Sequence, residues 1–370
     1  MELARFPLQR MVLRLFEGID ATLMVLILSL SMLGFAVLFS ASYDSPGRVL
    51  NQFVSLSIAL AAMWLTAQIA PQTLMRFAVP AYLIGVVLLV LVALFGDVVN
   101  GARRWLNVGI TRFQPSEMLK LALPLMLAWY FHRRESSLRL RDFALAAVLL
   151  AVPVGLIVRQ PDLGTAALVG AVGFYVIFFA GISWKVLGGL AGLFVVALFP
   201  LWGMLHDYQR KRVLTLLDPS QDPLGAGYHI IQSTIAVGSG GISGKGWLNG
   251  TQSHLEFIPE RHTDFIFAVY SEEFGLIGNV VLLILYALLI GRGLLIAANA
   301  ATLFARLMAG AVTLMFFTYA FVNMGMVSGI LPVVGVPLPF LSYGGTALLT
   351  LFIGTGILMS VQRHRTLVQT

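Results

Sequence analysis

The chain has 370 residues, of which 58% are hydrophobic and 11% are charged, with a formal net charge of +7 and a mean hydropathy of +0.88. This composition excludes an ordinary soluble domain and indicates a polytopic membrane protein. The chain has no cysteine, which excludes disulfide bonds and thiolate metal sites.

Apolar runs along the chain predict an all-α polytopic membrane protein with about ten transmembrane helices, each near the roughly 20 residues that cross a bilayer core. We expect one integral membrane domain over residues 1–370. The first run is too long for a removable signal peptide and lacks a small-residue cleavage site, so we retain it as a span. The predicted spans are 19–43, 50–69, 78–96, 116–131, 143–158, 164–182, 185–203, 265–290, 305–328 and 342–361.

Basic residues in the short connections predict the orientation of these spans. The positive-inside rule assigns such residues to the cytoplasm. Both termini are therefore predicted to be cytoplasmic, and the long loop 204–264, between spans seven and eight, to be extracytoplasmic. The net charge is interpreted as this orientation signal and not as nucleic-acid binding. The arginines concerned are Arg5, Arg10, Arg14, Arg133, Arg134, Arg139, Arg141, Arg363 and Arg365.

The first predicted outer segment leads into span four and reads GARRWLNVGITRFQPSEMLKLALP, residues 101–124. An acid such as Glu117 in the first turn of a helix is an ordinary start signal. Lys120 is harder to explain, because an ammonium within a span is costly and usually faces a partner or a cavity. It can pair with Glu117 on the same helix face. Alternatively, Lys120 can form an anion site for phosphates with the nearby Arg103, Arg104 and Arg112.

The second outer segment, RQPDLGTA at 159–166, places Asp162 between two spans. One interpretation is a capped turn, with Asp162 as the N-cap or first-turn acid of span six and Pro161 setting the entry of the chain. The other is an acid at the membrane that faces a substrate path. Both alternatives stay open at this point.

The loop 204–264 contains GSGGISGKG, which resembles a phosphate-binding loop but does not fit one. Ser239 stands where that motif requires glycine, and Gly246 follows Lys245 where it requires serine or threonine. The glycines are expected to permit tight turns. Because long loops without structure of their own are uncommon, we expect short amphipathic or re-entrant pieces packed on the bundle.

The stretch FIPERHTDFIFAV ends the loop and crowds charges against span eight. Thr263 is a plausible N-cap for this span, with Asp264 in its first turn. Acids inside a span are functional-site candidates, and salt bridges to the bundle arginines are the competing explanation. Capping leaves other charged residues unexplained: Glu256, Glu260, Arg261, His262 and, within the span, Glu272 and Glu273.

The run NMGMVSGILPVVGVPLPFLSYGGTA, residues 323–347, resembles the signature of the SEDS family, the shape, elongation, division and sporulation proteins. The stretches ARRWL, RFQPSE and QPDLG match the same family. DPLGAGYHIIQS, GSGG, GKGWLNGTQ and PERHTDFIFAV resemble its rod-shape members more than its division members. The resemblance covers all predicted outer segments and the ten-span plan.

This resemblance implies a peptidoglycan glycosyltransferase that polymerises lipid II, an undecaprenyl-diphosphate-linked disaccharide peptide, into glycan strands. It implies action on the outer face of the bacterial inner membrane during cell elongation. The implied partners are a class B penicillin-binding protein as transpeptidase and other elongation-complex proteins. No nucleotide is required, because breaking the sugar-diphosphate bond drives the reaction.

The resemblance also assigns roles to residues. Asp264 matches the family's essential aspartate and is the expected general base, although a helix N-terminus would lower its pKa unless burial or acidic neighbours oppose this. Arg112 and Lys120 match basic positions and are the expected diphosphate and headgroup contacts. A divalent cation, Mg²⁺ or Mn²⁺, that bridges carboxylate and diphosphate is chemically reasonable. The further substrate-binding candidates are Glu117, Asp162, Glu256, Arg104 and His262.

The segment SGILPVVGVPLPFLSYGGT contains three prolines, which cannot donate backbone hydrogen bonds, so it is not expected to form one regular span. Broken segments often build transport paths. This favours an alternative function, a lipid II flippase. A flippase needs a polar path into the cytoplasmic half, whereas the acids and motifs cluster on the predicted outer side. A third interpretation, an O-antigen-type ligase, shares the chemistry but not these motifs.

Overall fold

The computed structural model describes residues 18–42, 45–99, 102–107, 112–204, 210, 214–222, 225–255, 257–258 and 260–366, and they form a bundle of long helices. Three short strands precede the fourth long helix: β1 (Asp97–Val99), β2 (Ala102–Asn107) and β3 (Arg112–Phe113). The helices are α1 (Ala21–Ala41), α2 (Pro46–Gln68), α3 (Pro71–Arg76), α4 (Ala78–Phe95), α5 (Pro115–His132), α6 (Leu140–Arg159), α7 (Leu163–Phe179), α8 (Trp184–Met204), α9 (Ala226–Ser239), α10 (Thr251–His254), α11 (Ile266–Ala298), α12 (Leu303–Val327) and α13 (Thr346–Arg363).

The predicted fold class is confirmed, because every predicted span coincides with a long helix in the described part of the chain. Seven of these helices are long and apolar enough to cross a membrane by length and composition, namely α1, α2, α4, α6, α11, α12 and α13. The chain is therefore a multi-pass membrane protein. The count of ten crossings, the cytoplasmic termini and the outer position of loop 204–264 stay predictions.

A small antiparallel sheet, in the order β1-β2-β3, was not predicted. Asp97 pairs with Trp105 across the first strand pair, and Leu106 pairs with Phe113 across the second. Strands this short carry no periodic pattern that distinguishes them from a loop. The sheet matters for function because it brings the backbone of residues 102–107 and 112–113 to the start of α5.

Two predicted helix starts are confirmed. Helix α5 begins at Pro115, with Gln114 at the N-cap position and Glu117 in its first turn. Asp162 is the N-cap of α7. Its carboxylate accepts the backbone N–H of Thr165 at 3.1 Å, as expected for a capping acid.

The predicted N-cap of span eight is wrong by two residues, whereas the predicted start of the span at 265 lies within one residue of the helix start. Helix α11 begins at Ile266 with Phe265 at the N-cap position, so Thr263 does not cap it. Asp264 therefore lies in the turn that precedes the helix and not in its first turn. The helix also continues to Ala298, well past the predicted end at 290, because the apolar sequence runs on beyond the length of one bilayer crossing.

Helix α11 is kinked at Gly275, whose φ of 63° and ψ of −158° leave the helical region. The segment 240–246 of the loop, here called the glycine segment, packs against this kink. Its glycines allow the backbones to meet, since a Cβ on Gly244 would lie 2.1 Å from the carbonyl oxygen of Glu273. Four backbone hydrogen bonds join the two: Leu276 N–H to Gly241 O (2.9 Å), Ile277 N–H to Ile242 O (3.0 Å), Lys245 N–H to Glu272 O (3.0 Å) and Gly246 N–H to Glu273 O (3.0 Å).

Helix α12 lies at the centre of the bundle, where it packs against α5, α7, α11 and α13. The segment that follows it, up to the start of α13, is not helical, as its prolines predict. Protein groups satisfy its backbone: Tyr286 donates to Pro339 O at 2.6 Å, and Asn323 donates to Val336 O at 2.7 Å. Irregular backbone at membrane depth is tolerated in this way, buried among helices.

Candidate functional site

A polar cavity of about 220 Å³ opens where the starts of α5, α7 and α13 meet the turn before α11. It brings together residues from four separate stretches of the chain, including five of the predicted site residues. The lining, which we call the polar cavity, consists of Arg104, Trp105, Gln114, Glu117, Lys120, Asp162, Thr165, Leu168, Thr263, Asp264, Gly335, Pro337, Tyr343, Thr346 and Ala347.

Lys120 is the buried cation of this cavity. Its Nζ lies 2.5 Å from Oε1 of Glu117, so the predicted pairing on one helix face is confirmed. Nζ also donates to the hydroxyl of Tyr319 on α12, and it lies 5.0 Å from the centroid of that ring. The second carboxylate oxygen of Glu117 has no hydrogen-bond partner among the described residues. The pair therefore presents an ammonium and an acceptor to whatever enters the cavity.

Arg104 and Asp162 form the other charged wall. Arg104 Nε lies 3.7 Å from the Asp162 carboxylate, and its guanidinium donates to the carbonyl of Pro161 at 2.7 Å. Gln114 donates to the same carboxylate at 3.2 Å. Asp162 is thus both a helix cap and a cavity residue, which joins the two interpretations that the sequence left open.

Asp264 is fixed by its backbone and exposes its carboxylate to the cavity. Asn323 on α12 donates to the Asp264 carbonyl at 2.8 Å. No described side chain donates a hydrogen bond to the carboxylate, and Gly335 leaves room beside it, since a Cβ there would lie 3.4 Å from Oδ2. Burial, with a contribution from the charge of Glu260, raises the pKa of Asp264 to about 6. A carboxylate with such a pKa is suited to accept a proton near neutral pH.

Three predicted residues are not placed in the cavity by the described structure. His262 does not line it, because its Nδ1 lies 3.2 Å from Ser42 Oγ and its Nε2 contacts Arg48. The backbone of Arg112 lies in β3, but its side chain is outside the described part of the structure. Glu256 lies outside the described residues.

The two intramembrane acids of α11 do not line the cavity. Glu272 accepts from Lys245 Nζ at 2.6 Å and from the backbone N–H of Gln252 at 3.0 Å. Glu273 accepts a hydrogen bond from Ser40 on α1. The suggestion that bundle arginines pair with these acids is therefore wrong, because the nearest donors come from the loop and from α1.

Sequence reasoning missed two residues that shape the cavity, Tyr319 and Asn323. They are four residues apart on α12, so they lie on one helix face. Both are fully buried. A tyrosine and an asparagine at this spacing inside an apolar run were the available signal, because buried polar groups in a span require partners.

The described residues do not favour a binding site for a divalent cation. They contain no group of three or more histidine, aspartate or glutamate side chains arranged to hold a metal ion. Asp264 and Asp162 both line the cavity, but Arg104 already neutralises Asp162. The described donor set therefore does not fit a metal centre.

Chemically, the polar cavity combines a proton acceptor with two cations. Lys120 and Arg104 can stabilise phosphate oxygens, because ammonium and guanidinium groups form strong charge-assisted hydrogen bonds with them. Asp264 can accept a proton from a hydroxyl group held against it. This set suits a reaction in which a hydroxyl attacks and a phosphate leaves.

Comparison with known proteins gives consistent matches over almost the whole chain. The family of FtsW, RodA and SpoVE, described as cell cycle proteins, matches residues 11–367. The peptidoglycan glycosyltransferase MrdB of Escherichia coli strain K12 is 53% identical over 349 residues, which cover 94% of each chain.

Solved structures agree with this likeness. A chain of a peptidoglycan synthase complex, solved in a study of the structural coordination of polymerization and crosslinking, superposes with a TM-score of 0.81 at 37% identity and covers 94% of this chain and 98% of that one. The rod shape determining protein RodA of Thermus thermophilus superposes with a TM-score of 0.71 at 34% identity and covers 94% and 97%.

Proposed function

Since the chain belongs to the FtsW/RodA/SpoVE family of cell cycle proteins, we propose that the polar cavity is the site where it polymerises lipid II into glycan strands. The chain is a peptidoglycan glycosyltransferase, the activity carried in the names of its curated relatives. The observation that carries the proposal is the position of Asp264, a half-buried carboxylate with a raised pKa that shares one cavity with Lys120 and Arg104.

In the proposed reaction, the hydroxyl oxygen of the acceptor sugar forms a bond to the anomeric carbon of the donor sugar. The bond between that carbon and the diphosphate oxygen breaks, and its electron pair leaves with the diphosphate. Asp264 takes the proton of the attacking hydroxyl. Lys120 and Arg104, with Arg112 as a further candidate, stabilise the charge that grows on the departing diphosphate.

The remaining polar groups have supporting roles in this proposal. Glu117 and Tyr319 orient the ammonium of Lys120, so its charge is already in place when the diphosphate leaves. Asp162 holds the guanidinium of Arg104 at the opposite wall. Glu256 and His262 remain candidates for sugar or peptide contacts outside the cavity.

We further propose the setting in which this reaction takes place. The distribution of arginines favours cytoplasmic termini, so the cavity would open on the outer face of the bacterial inner membrane. The high identity to E. coli MrdB favours a role in cell elongation, with a class B penicillin-binding protein as the transpeptidase partner.

The test is polymerisation of labelled lipid II by the purified protein, with and without its partner transpeptidase. Asp264→Asn is compared with the native chain and with Glu135→Gln, an exposed acid just beyond the far end of α5. We expect strands from the native chain and from Glu135→Gln only. Equal polymerisation by Asp264→Asn would remove the general-base role.

The flippase alternative keeps one supporting observation, the irregular segment between α12 and α13. If neither the native chain nor its complex makes strands, transport of lipid II in vesicles becomes the decisive measurement. The charged residues of the cavity lie at one end of the bundle, at helix starts, which favours polymerisation over transport.

A further inference from the structure

A second concave site lies next to the polar cavity, between α1 and α2. It encloses about 670 Å³ and is almost wholly apolar. Ser42 is its single polar lining residue in the described structure. The lining residues, which define the α1–α2 groove, are Phe35, Phe39, Ser42, Val49, Leu50, Phe53 and Leu248.

A guanidinium lies next to the polar end of the groove, joined to Ser42 through His262. Arg48 donates to Nε2 of His262, and arginine has no acceptor atoms, so Nε2 must be the acceptor. The other nitrogen, Nδ1, then carries the proton and donates to Ser42 Oγ at 3.2 Å. The Ser42 hydroxyl is left to donate in turn. Behind this end of the groove, Arg261 donates through its Nε to the Ala41 carbonyl at 2.9 Å.

The loop supplies one wall of the groove at a conformational cost. Leu248, which lines the groove, has a φ of 65°, a region that branched and bulky side chains rarely adopt. Backbone strain of this kind tends to occur at functional sites. Its neighbour Trp247 donates to Ala36 O at 2.9 Å and packs 6.0 Å from the Phe39 ring. Tryptophan at this position is typical of the membrane–water boundary.

The groove and the polar cavity share a wall. His262, at the head of the groove, and Asp264, in the cavity, are two residues apart, so their Cα atoms are separated by at most about 7 Å. The turn between them is held in place: Tyr343 N–H donates to His262 O at 2.9 Å, and Ser342 Oγ donates to Thr263 O at 2.7 Å. A ligand held at Ser42 is therefore close to the proposed base.

We propose that the α1–α2 groove binds the lipid-linked acceptor of the glycosyl transfer, with its polyprenyl chain along the phenylalanines and its diphosphate at Arg48 and Ser42. This inference rests on the proposed function. Two lipid-linked substrates must meet in that reaction, and a polar cavity of about 220 Å³ cannot hold both. The cations of the cavity suit the diphosphate that leaves, whereas the acceptor keeps its diphosphate and needs only to be held.

The groove matches this occupant in two ways. Its apolar wall suits a branched hydrocarbon chain, because buried apolar area is the main source of affinity for such chains. Its cationic end suits a diphosphate, because a guanidinium has five donors and one of them is given to His262. An ordinary membrane lipid would share the tail but would lack the second phosphate.

Direct binding is tested with a lipid II analogue that carries a diazirine on its polyprenyl chain, photolysed on the full-length protein and mapped by mass spectrometry. The Asp264→Asn background removes turnover, so labelling reports binding alone. We expect labels on α1 and α2 at the groove, competed by undecaprenyl diphosphate but not by neutral undecaprenol or phosphatidylglycerol. In Arg48→Ala, labelling at the groove should fall roughly tenfold, the loss expected for one charge-assisted hydrogen bond.

Kinetics then distinguish acceptor from donor. A lipid II phosphonate whose sugar-phosphorus bond cannot break serves only as acceptor, and a lipid II with its attacking hydroxyl methylated serves only as donor. Leu50→Trp, which fills the groove, should raise the KM for the acceptor roughly tenfold and leave the KM for the donor unchanged. Leu83→Trp, which changes a similarly exposed leucine on α4 outside the groove, is the matched control and should change neither.

Three results would overturn the proposal: labels confined to other helices, competition by undecaprenol as strong as by the diphosphate, or a KM change in Leu50→Trp for the donor alone. Groove labelling that Arg48→Ala abolishes, in a native protein that makes no strands, would support the binding site while rejecting glycosyl transfer. The failure of the proposed function is thereby separated from the failure of this inference.

Discussion

The side-chain amide of Asn323 donates a hydrogen bond of 2.8 Å to the backbone carbonyl of Asp264, and a second bond of 2.7 Å to Val336 O. One side chain of α12 thus fixes both the proposed base and the irregular segment that faces it. The precise placement of a general base is what such supporting hydrogen bonds provide.

Replacement of Asn323 by alanine should lower turnover more than it raises KM, because the base loses its anchor while the cations of the cavity stay in place. Two buried carbonyls would lose their donor, so we also expect a loss of stability of about 1–3 kcal/mol. Polymerisation kinetics and thermal unfolding measure the two effects. Ser328→Ala, which removes only a hydroxyl bonded within its own helix, is the control. Unchanged turnover in Asn323→Ala would contradict the positioning role.

The raised pKa of Asp264 predicts the pH dependence of the reaction. A base must be ionised to accept a proton, so kcat/KM should fall as the pH drops through about 6. Glu260→Gln removes a charge that raises this pKa, so the fall should move to lower pH. Glu135→Gln, far from the cavity, should not move it. An acid limb that stays in place in Glu260→Gln would contradict the assignment of Asp264.

The same raised pKa predicts that the stability of the protein falls as the pH rises, which is opposite to the change in activity. The folded protein holds the Asp264 proton up to about pH 6, whereas the unfolded chain releases it near the ordinary value of 3.8. The contribution of this carboxyl to stability is therefore complete below about 3.8 and is lost as the pH rises through 6. Asp264→Asn should remove this dependence, and unfolding of native and variant protein between these pH values measures it. Identical pH dependence in the two proteins would show that another group is responsible.

The buried pair of Lys120 and Glu117 predicts that the losses of stability caused by replacing each residue do not add up in the double variant. Lys120→Met leaves a carboxylate unpaired in the bundle, which typically costs about 3–5 kcal/mol. The double variant Lys120→Met/Glu117→Gln should recover most of this stability, because no buried charge is left alone. It should not recover polymerisation, since the cation for the diphosphate is still missing. Thermal unfolding and lipid II turnover of both variants measure this, and activity in the double variant would exclude Lys120 from the site.

The contact between the glycine segment and α11 predicts a strong effect of one methyl group. Gly244 has a φ of 79°, and a Cβ there would lie 2.1 Å from Glu273 O. Gly244→Ala should therefore destabilise the protein by well over 1 kcal/mol, because both the backbone conformation and the space forbid the side chain. Gly238→Ala, at a helical position with open space, should be neutral or slightly stabilising. Equal unfolding temperatures for the two variants would contradict the observed packing.

Much of the architecture could be predicted from the sequence, because long apolar runs have few alternatives in a bilayer. The pairing of Glu117 with Lys120 and the cap at Asp162 followed from spacing and from local start signals. The N-cap of α11 could not be predicted in this way. Threonine is a favoured capping residue, but the chain makes one more turn after Thr263 before the helix begins at Ile266. Local propensity cannot show that extra turn.

The composition of the cavity was only partly predictable. Motif matching found Arg104, Asp162 and Asp264, which come from three separate connections, but it also selected His262, which faces Ser42. Tyr319 lies 199 residues from Lys120 in the chain, and no local pattern joins them. Which side of a connecting turn a residue faces depends on tertiary packing, and that information is not local.

The kink at Gly275 ties the loop to the first turns of α11 through backbone bonds in both directions. Those turns are thereby held at two ends, by the glycine segment on one side and by Asn323 on the other. Because hydrogen bonds hold these turns at both ends, we expect a displacement of the glycine segment to shift the carboxylate of Asp264. We expect deletions within 240–246 to change the position of Asp264, although it lies about twenty positions away along the chain.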